Sequence, residues 1–82
     1  MGYYLYILRC KDGSLYTGVA KDLEARLAQH RNGKGSKYVR SRLPFACVYS
    51  EQLQDKASAL RREYEIKHMP KTKKEGLVSS IP

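Results

Sequence analysis

Five side chains spread along this chain share one chemistry: Tyr6, Tyr16, Arg26, His30 and Glu63. Two phenols, a guanidinium, an imidazole and one carboxylate suit the breaking of a phosphodiester with a single divalent metal ion. A guanidinium clamps a non-bridging phosphate oxygen through charge-assisted hydrogen bonds. An imidazole donates or relays a proton near neutral pH. Mg²⁺ is often held by only one or two carboxylates, with water and substrate phosphate completing its octahedron, so one acidic ligand is chemically sufficient. No cluster in the chain suits acyl transfer, redox chemistry or a structural metal.

The charge balance points the same way. The 82 residues carry 16 Lys and Arg against 8 Asp and Glu, a net charge of +8. No acidic residue falls between Ala25 and Ser50, whereas Arg26, Arg31, Lys34, Lys37, Arg40 and Arg42 all do. A second basic run, Lys67, His68, Lys71, Lys73 and Lys74, follows near the C-terminus. Such runs often form only a solvated face, but an excess of one sign in so short a chain favours an anionic partner. Clustered Lys and Arg make that partner nucleic acid, with Lys34, Lys37, Arg40 and Arg42 as the DNA-binding candidates. A membrane surface fits poorly, since the basic segments lack a long amphipathic helix with aromatic anchors. Cys10 and Cys47 read as apolar strand residues in a reducing compartment, without a Cys-x-x-Cys pattern. With no signal peptide, no stretch of ~20 apolar residues, and Tyr6 where a myristoylation motif needs Ser or Thr, the expectation is a cytoplasmic monomer.

One small domain, an α+β fold of three antiparallel strands flanked by helices, must position these groups. Tyr3 to Cys10 is rich in Tyr, Leu and Ile and reads as a buried strand. Lys11-Asp12-Gly13 is a turn signal, and Ser14 to Ala20 a second strand. Asp22 is placed to cap a helix that Asn32-Gly33 ends. Residues from Gly33 to Arg42 read as a basic loop holding at most a short helix. Pro44 to Ser50 reads as a third strand, and Asp55 caps a second long helix reaching about His68. Pro70 breaks that helix, leaving a short amphipathic and exposed tail.

The turn decides whether the two tyrosines meet. With a two-residue turn at Asp12-Gly13, Arg9 faces Tyr16 and the phenols fall on opposite faces of the hairpin, because side chains alternate. With a three-residue loop and Gly13 left-handed, Leu8 opposes Tyr16, Tyr6 opposes Gly18, and both phenols share a face. A shared site requires the second register, which is therefore expected. Gly18 supports it, since glycine weakens a strand unless a close approach needs it.

Arg26 and His30 lie four residues apart, on one helix face. On the later helix, Ala59, Leu60, Tyr64 and Ile66 outline an apolar stripe with Glu63 near its middle. A carboxylate there is costly unless it is paired or metal-bound. It is either half of a buried salt bridge to Arg26 or Lys67, or a magnesium ligand opening onto a cleft.

The ordered set resembles the GIY-YIG nuclease family over nearly the whole chain, above all its small stand-alone bacterial members. Residues 4–18, Tyr-Leu-Tyr-Ile-Leu-Arg-Cys-Lys-Asp-Gly-Ser-Leu-Tyr-Thr-Gly, resemble the first two motifs. Residues 22–30, Asp-Leu-Glu-Ala-Arg-Leu-Ala-Gln-His, resemble the third. Residues 60–67, Leu-Arg-Arg-Glu-Tyr-Glu-Ile-Lys, resemble the motif that bears a metal-binding Glu. The resemblance implies the order β-β-α-β-α and DNA cleavage by a water held on one Mg²⁺ or Mn²⁺. By position it makes Tyr6 and Tyr16 the paired motif tyrosines, Arg26 the phosphate clamp, His30 a histidine found in many members and Glu63 the metal ligand. Three departures stand out: Tyr-Leu-Tyr replaces Gly-Ile-Tyr, Thr17 replaces Ile, and no Asn follows the glutamate, the only one being Asn32.

The functional expectation is thus a metal-dependent DNA endonuclease acting on branched, damaged or distorted DNA. With no attached reading module, it would grip backbone and shape rather than sequence. Two rivals share the fold: a non-catalytic nucleic-acid-binding module, and a subunit activated by a partner protein docked on the tail.

Overall fold

In the computed structural model, which describes residues 2–80, the three strands form one antiparallel sheet in the order β2-β1-β3. Strand β1 spans Tyr3–Cys10, β2 Leu15–Ala20 and β3 Phe45–Leu53. Helices α1 (Leu23–Arg31) and α2 (Lys37–Arg40) lie between β2 and β3 in the chain; α3 (Lys56–Lys67) and α4 (Lys71–Ser79) follow. None of these helices is long and apolar enough to cross a membrane.

The central strand explains the layering. Leu5, Tyr6, Ile7 and Leu8 are all fully buried, as a continuous apolar run should be when both faces of a strand are covered. Its even positions, Tyr6, Leu8 and Cys10, join Ala20, Leu27 and Val39 in a core under α1 and α2. Its odd positions, Leu5 and Ile7, meet Ile66 of α3, with Met69, Leu77 and Val78 packed alongside. The tail after Pro70, expected to be amphipathic and exposed, has no buried residue but is ordered along its apolar side. It forms α4 and packs on the second face, pinned by Arg9, whose two guanidinium nitrogens each donate to Glu75 at 2.6 Å.

The hairpin adopts the register that unites the tyrosines: Tyr6 pairs with Gly18 and Leu8 with Tyr16. Cys10 N donates to Ser14 O, closing a loop of Lys11, Asp12 and Gly13, and Gly13 takes φ +85°. Both helix caps form as expected. Asp22 Oδ1 accepts from Ala25 N at 3.0 Å, and Asp55 Oδ1 from Ser58 N at 2.8 Å.

Three local readings change. Strand β3 runs to Leu53 rather than Ser50, because an edge strand tolerates the polar Ser50-Glu51-Gln52. Glu51 there accepts from Arg62 Nε at 2.7 Å and from the Tyr49 hydroxyl. Cys47 lies in β3 but is exposed, unlike the buried Cys10. Helix α3 is turned from its expected apolar stripe: Ala59 and Ile66 face the sheet, whereas Leu60 and Tyr64 are 45% and 66% exposed. The Glu51–Arg62 pair draws that side of the helix inward, and Tyr64 instead packs its ring on His68, one turn on, with centroids 4.0 Å apart. Glu63 stays on the inward side with Ala59 and Ile66, half-buried.

Candidate active site

The hairpin and α1 bring three rings together. The Tyr6 hydroxyl and His30 Nε2 share a buried hydrogen bond of 2.8 Å. Tyr16 presents its ring to the same imidazole, with centroids 5.5 Å apart at 73°, and lies 6.5 Å from the Tyr6 ring. His30 can reach the phenol because Leu27, one turn earlier, seats α1 in the core beside Leu8.

Gly18 makes the close approach possible. A Cβ there would lie 2.5 Å from Tyr6 Cζ, inside the phenol. Gly35 does the same for His30, where a Cβ would lie 2.5 Å from Nδ1. Sequence reasoning missed Gly35, which sits in a Gly-Lys-Gly-Ser run that reads as a plain flexible loop.

Burial sets the protonation states. It pushes the Tyr6 phenol up to about 12, with the nearby Arg26 guanidinium opposing part of that rise and Tyr16 and Glu63 adding to it. It also pushes His30 below its ordinary value of 6.5, and the charge of Arg26 adds to the effect. A neutral His30 and a protonated Tyr6 are thus the resting forms. The pair holds two protons but only one shared bond, and His30 Nδ1 is buried with no hydrogen-bond partner. A bare lone pair is tolerated there better than an orphaned N–H. Donation from Nε2–H would instead orphan the buried phenolic proton, so either direction of the shared bond strands one proton.

A stability prediction follows. Below about pH 6.5 the unfolded imidazole takes up a proton that the folded one refuses, so the stability held above that pH is lost as acid protonates the ring. The wild-type melting temperature should fall between about pH 7.5 and about pH 5, and His30→Gln should fall less over this range. Parallel melting curves for the two proteins would remove His30 as the cause.

Arg26, one turn before His30, lies along β2, donating to Gln29 Oε1 at 3.1 Å and to Val19 O at 3.4 Å. Glu63 lies on α3, half-buried on the helix's inward side. Its carboxylate pairs with Lys67 at 3.2 Å, on the same helix, and the two side chains are 21% and 50% exposed. The expected alternative of a buried bridge is therefore corrected to a half-open pair. No group of three His, Cys, Asp or Glu that could hold a metal occurs among the described residues. A single carboxylate fits a hard cation that shares it with substrate phosphate and water.

Of the basic candidates, Lys34, Lys37 and Arg40 are exposed and make no ion pair among the described residues. Arg42 differs. It bonds Asp12 Oδ2 at 3.0 Å and lies 3.8 Å above the Tyr38 ring, which in turn stacks on Tyr16. Sequence reasoning missed Tyr38; an aromatic inside a basic segment was its only signal.

The family profile described as the GIY-YIG catalytic domain matches residues 2–75. The chain belongs to the GIY-YIG family. It is 53% identical over 77 residues to the UPF0213 protein SSP2268 of Staphylococcus saprophyticus, covering 94% of each chain. A solution NMR structure of the UPF0213 protein BH0048 from Bacillus halodurans is similar, with 49% identity and a TM-score of 0.64 over 96% of this chain and 84% of that one. A second, of the protein EF2693 from E. faecalis, has 31% identity and a TM-score of 0.65, over 95% of this chain and 83% of that one.

Proposed function

We propose that the protein is a metal-dependent endonuclease that hydrolyses DNA phosphodiesters, acting on branched, damaged or otherwise distorted DNA. The observation that carries this reading is the buried Tyr6–His30 hydrogen bond, with Tyr16 against the imidazole. A core that needed only packing would not bury an imidazole against two phenols.

The tyrosines divide the work by exposure. Tyr6 is fully buried and its phenol is pushed to about 12, so it is a poor base near neutral pH. Its hydroxyl serves instead to hold His30, while Arg26 would draw in a phosphate oxygen. Tyr16 is only half-buried, so of the two phenols it is the one open to an attacking water. His30, neutral at rest, fixes the Tyr6 hydroxyl through their shared hydrogen bond and keeps the Tyr16 ring against it. Glu63 would hold a single Mg²⁺ or Mn²⁺, and such a cation supplies the charge that the attacking and leaving oxygens need. Specificity would come from backbone and shape, because the exposed cations Lys34, Lys37 and Arg40 present point charges rather than a base-reading surface.

One observation favours the rival reading of a non-catalytic or partner-activated module. Lys67 already satisfies the Glu63 carboxylate. The purified protein should be incubated with duplex, single-stranded, flapped and four-way DNA, in Mg²⁺, Mn²⁺ or EDTA. Metal-dependent nicking of the branched substrates is expected; binding without cleavage in either metal selects the rival.

DNA affinity supplies a separate check. With about four phosphates neutralised, log affinity should fall against log salt with a slope of roughly −3 to −4. Replacing Lys34, Lys37 and Arg40 by Ala should flatten that slope by roughly 2 to 3 and weaken all sequences alike. An unchanged slope would move the DNA to the C-terminal basic run.

A further inference from the structure

The Tyr16 ring sits on an edge strand, β2, with no further strand outside it. Of its aromatic neighbours, Tyr6 is tilted and His30 meets it edge-on; Tyr38 alone lies face to face, 5.9 Å away at 27°. Tyr38 comes from α2, four residues that would hold a 37%-exposed ring loosely by themselves. What holds it is Arg42. The guanidinium carbon lies 3.8 Å from the Tyr38 ring centroid, Nη1 donates to Tyr38 O at 3.1 Å, and Nε donates to Asp12 Oδ2 at 3.0 Å. Asp12 is itself fixed in the hairpin loop, its Oδ1 accepting from Ser14 N at 3.0 Å and Ser14 Oγ at 2.6 Å. Lys11 N closes the clamp by donating to Arg42 O at 3.0 Å. Two residues after Ser14, the same hairpin carries Tyr16.

We propose that Tyr38, clamped by Arg42 to the Asp12 turn, is a positioning residue that sets the Tyr16 ring against His30. Its catalytic consequence rests on the nuclease reading above; the ring's orientation does not. A flat guanidinium is needed at position 42, since it must cover a ring while its forked N–H groups reach a carboxylate and a carbonyl. A lysine would keep the charge and lose that geometry. The clamp also gives Arg42 a task other than gripping phosphate. Displacing a reacting group by about an ångström costs on the order of 100-fold in rate, so loosening Tyr16 should show in turnover rather than in DNA affinity.

The test compares Tyr38→Leu, Tyr38→Phe and Arg42→Lys with the wild type. Without DNA, ring-labelled protein reports the proton cross-peak between the Tyr16 and His30 rings. With branched DNA and Mg²⁺, initial rates are separated into kcat and KM. Tyr38→Leu should weaken the cross-peak and lower kcat about 10- to 100-fold with KM little changed. Tyr38→Phe, which keeps the ring, should restore both. Arg42→Lys should weaken the cross-peak too, and it carries the test should Tyr38→Leu fail to fold. An unchanged cross-peak in Tyr38→Leu and Arg42→Lys overturns the proposal, as does a raised KM at constant kcat, which would make Tyr38 a DNA contact. If the wild type cleaves nothing, the nuclease reading fails, and the cross-peak alone still decides the positioning role.

Discussion

Glu63→Gln is expected to abolish metal-dependent cleavage while leaving DNA binding and folding nearly intact. The amide keeps the carboxylate's shape and removes the acidic charge proposed to hold Mg²⁺. Losing several kcal/mol of charge stabilisation lowers turnover by about 1,000-fold. DNA binding should persist or tighten slightly, since one negative charge leaves a surface that meets phosphate. The fold should hardly change, because the Lys67 partner is half-exposed and on the same helix. Pairs of that kind are worth about 0.3–0.5 kcal/mol. A buried bridge would instead cost about 3–5 kcal/mol when halved. Melts in EDTA alongside nicking assays in Mg²⁺ separate the two. A large drop in melting temperature with nicking preserved would remove Glu63 from the site.

Gly18→Ala and Gly35→Ala should damage the site from opposite sides. An exchange of glycine for alanine within a regular element ordinarily gains about 0.5–1 kcal/mol. Here the new methyl of Gly18→Ala would lie 2.5 Å from Tyr6 Cζ, and that of Gly35→Ala 2.5 Å from His30 Nδ1. Both rings are buried and cannot swing away. Overpacking of this kind costs about 1–3 kcal/mol, and parting the phenol from the imidazole should lower cleavage on the order of 100-fold. Gly76→Ala is the control. Nothing lies near its Cβ position in α4, so it should stabilise the helix by up to about 1 kcal/mol and leave cleavage unchanged. Wild-type melting and nicking in Gly18→Ala and Gly35→Ala would mean that the Tyr6–His30 contact is not essential.

Much of this protein could be read from local chemistry, because local chemistry is what builds its elements. Asp22 and Asp55 cap helices through bonds to residues three positions on, and Gly13 turns the hairpin by taking a positive φ. Period-two alternation then dictates that a three-residue loop puts Tyr6 and Tyr16 on one face, and the Tyr6–Gly18 pairing follows. The element that carries each of the five candidate residues was legible for the same reason. Tertiary packing decided the rest. Which side of α3 faces inward depended on Glu51, eleven residues before Arg62, and so left Leu60 and Tyr64 outside. The tail after Pro70 became a packed helix through Arg9, 66 residues before Glu75. Gly35, Tyr38 and Arg42 took their roles from rings and a turn brought to them by the fold. Local bonds are encoded within a few residues of sequence, whereas the partner of a side chain across the sheet exists only once the strands have paired.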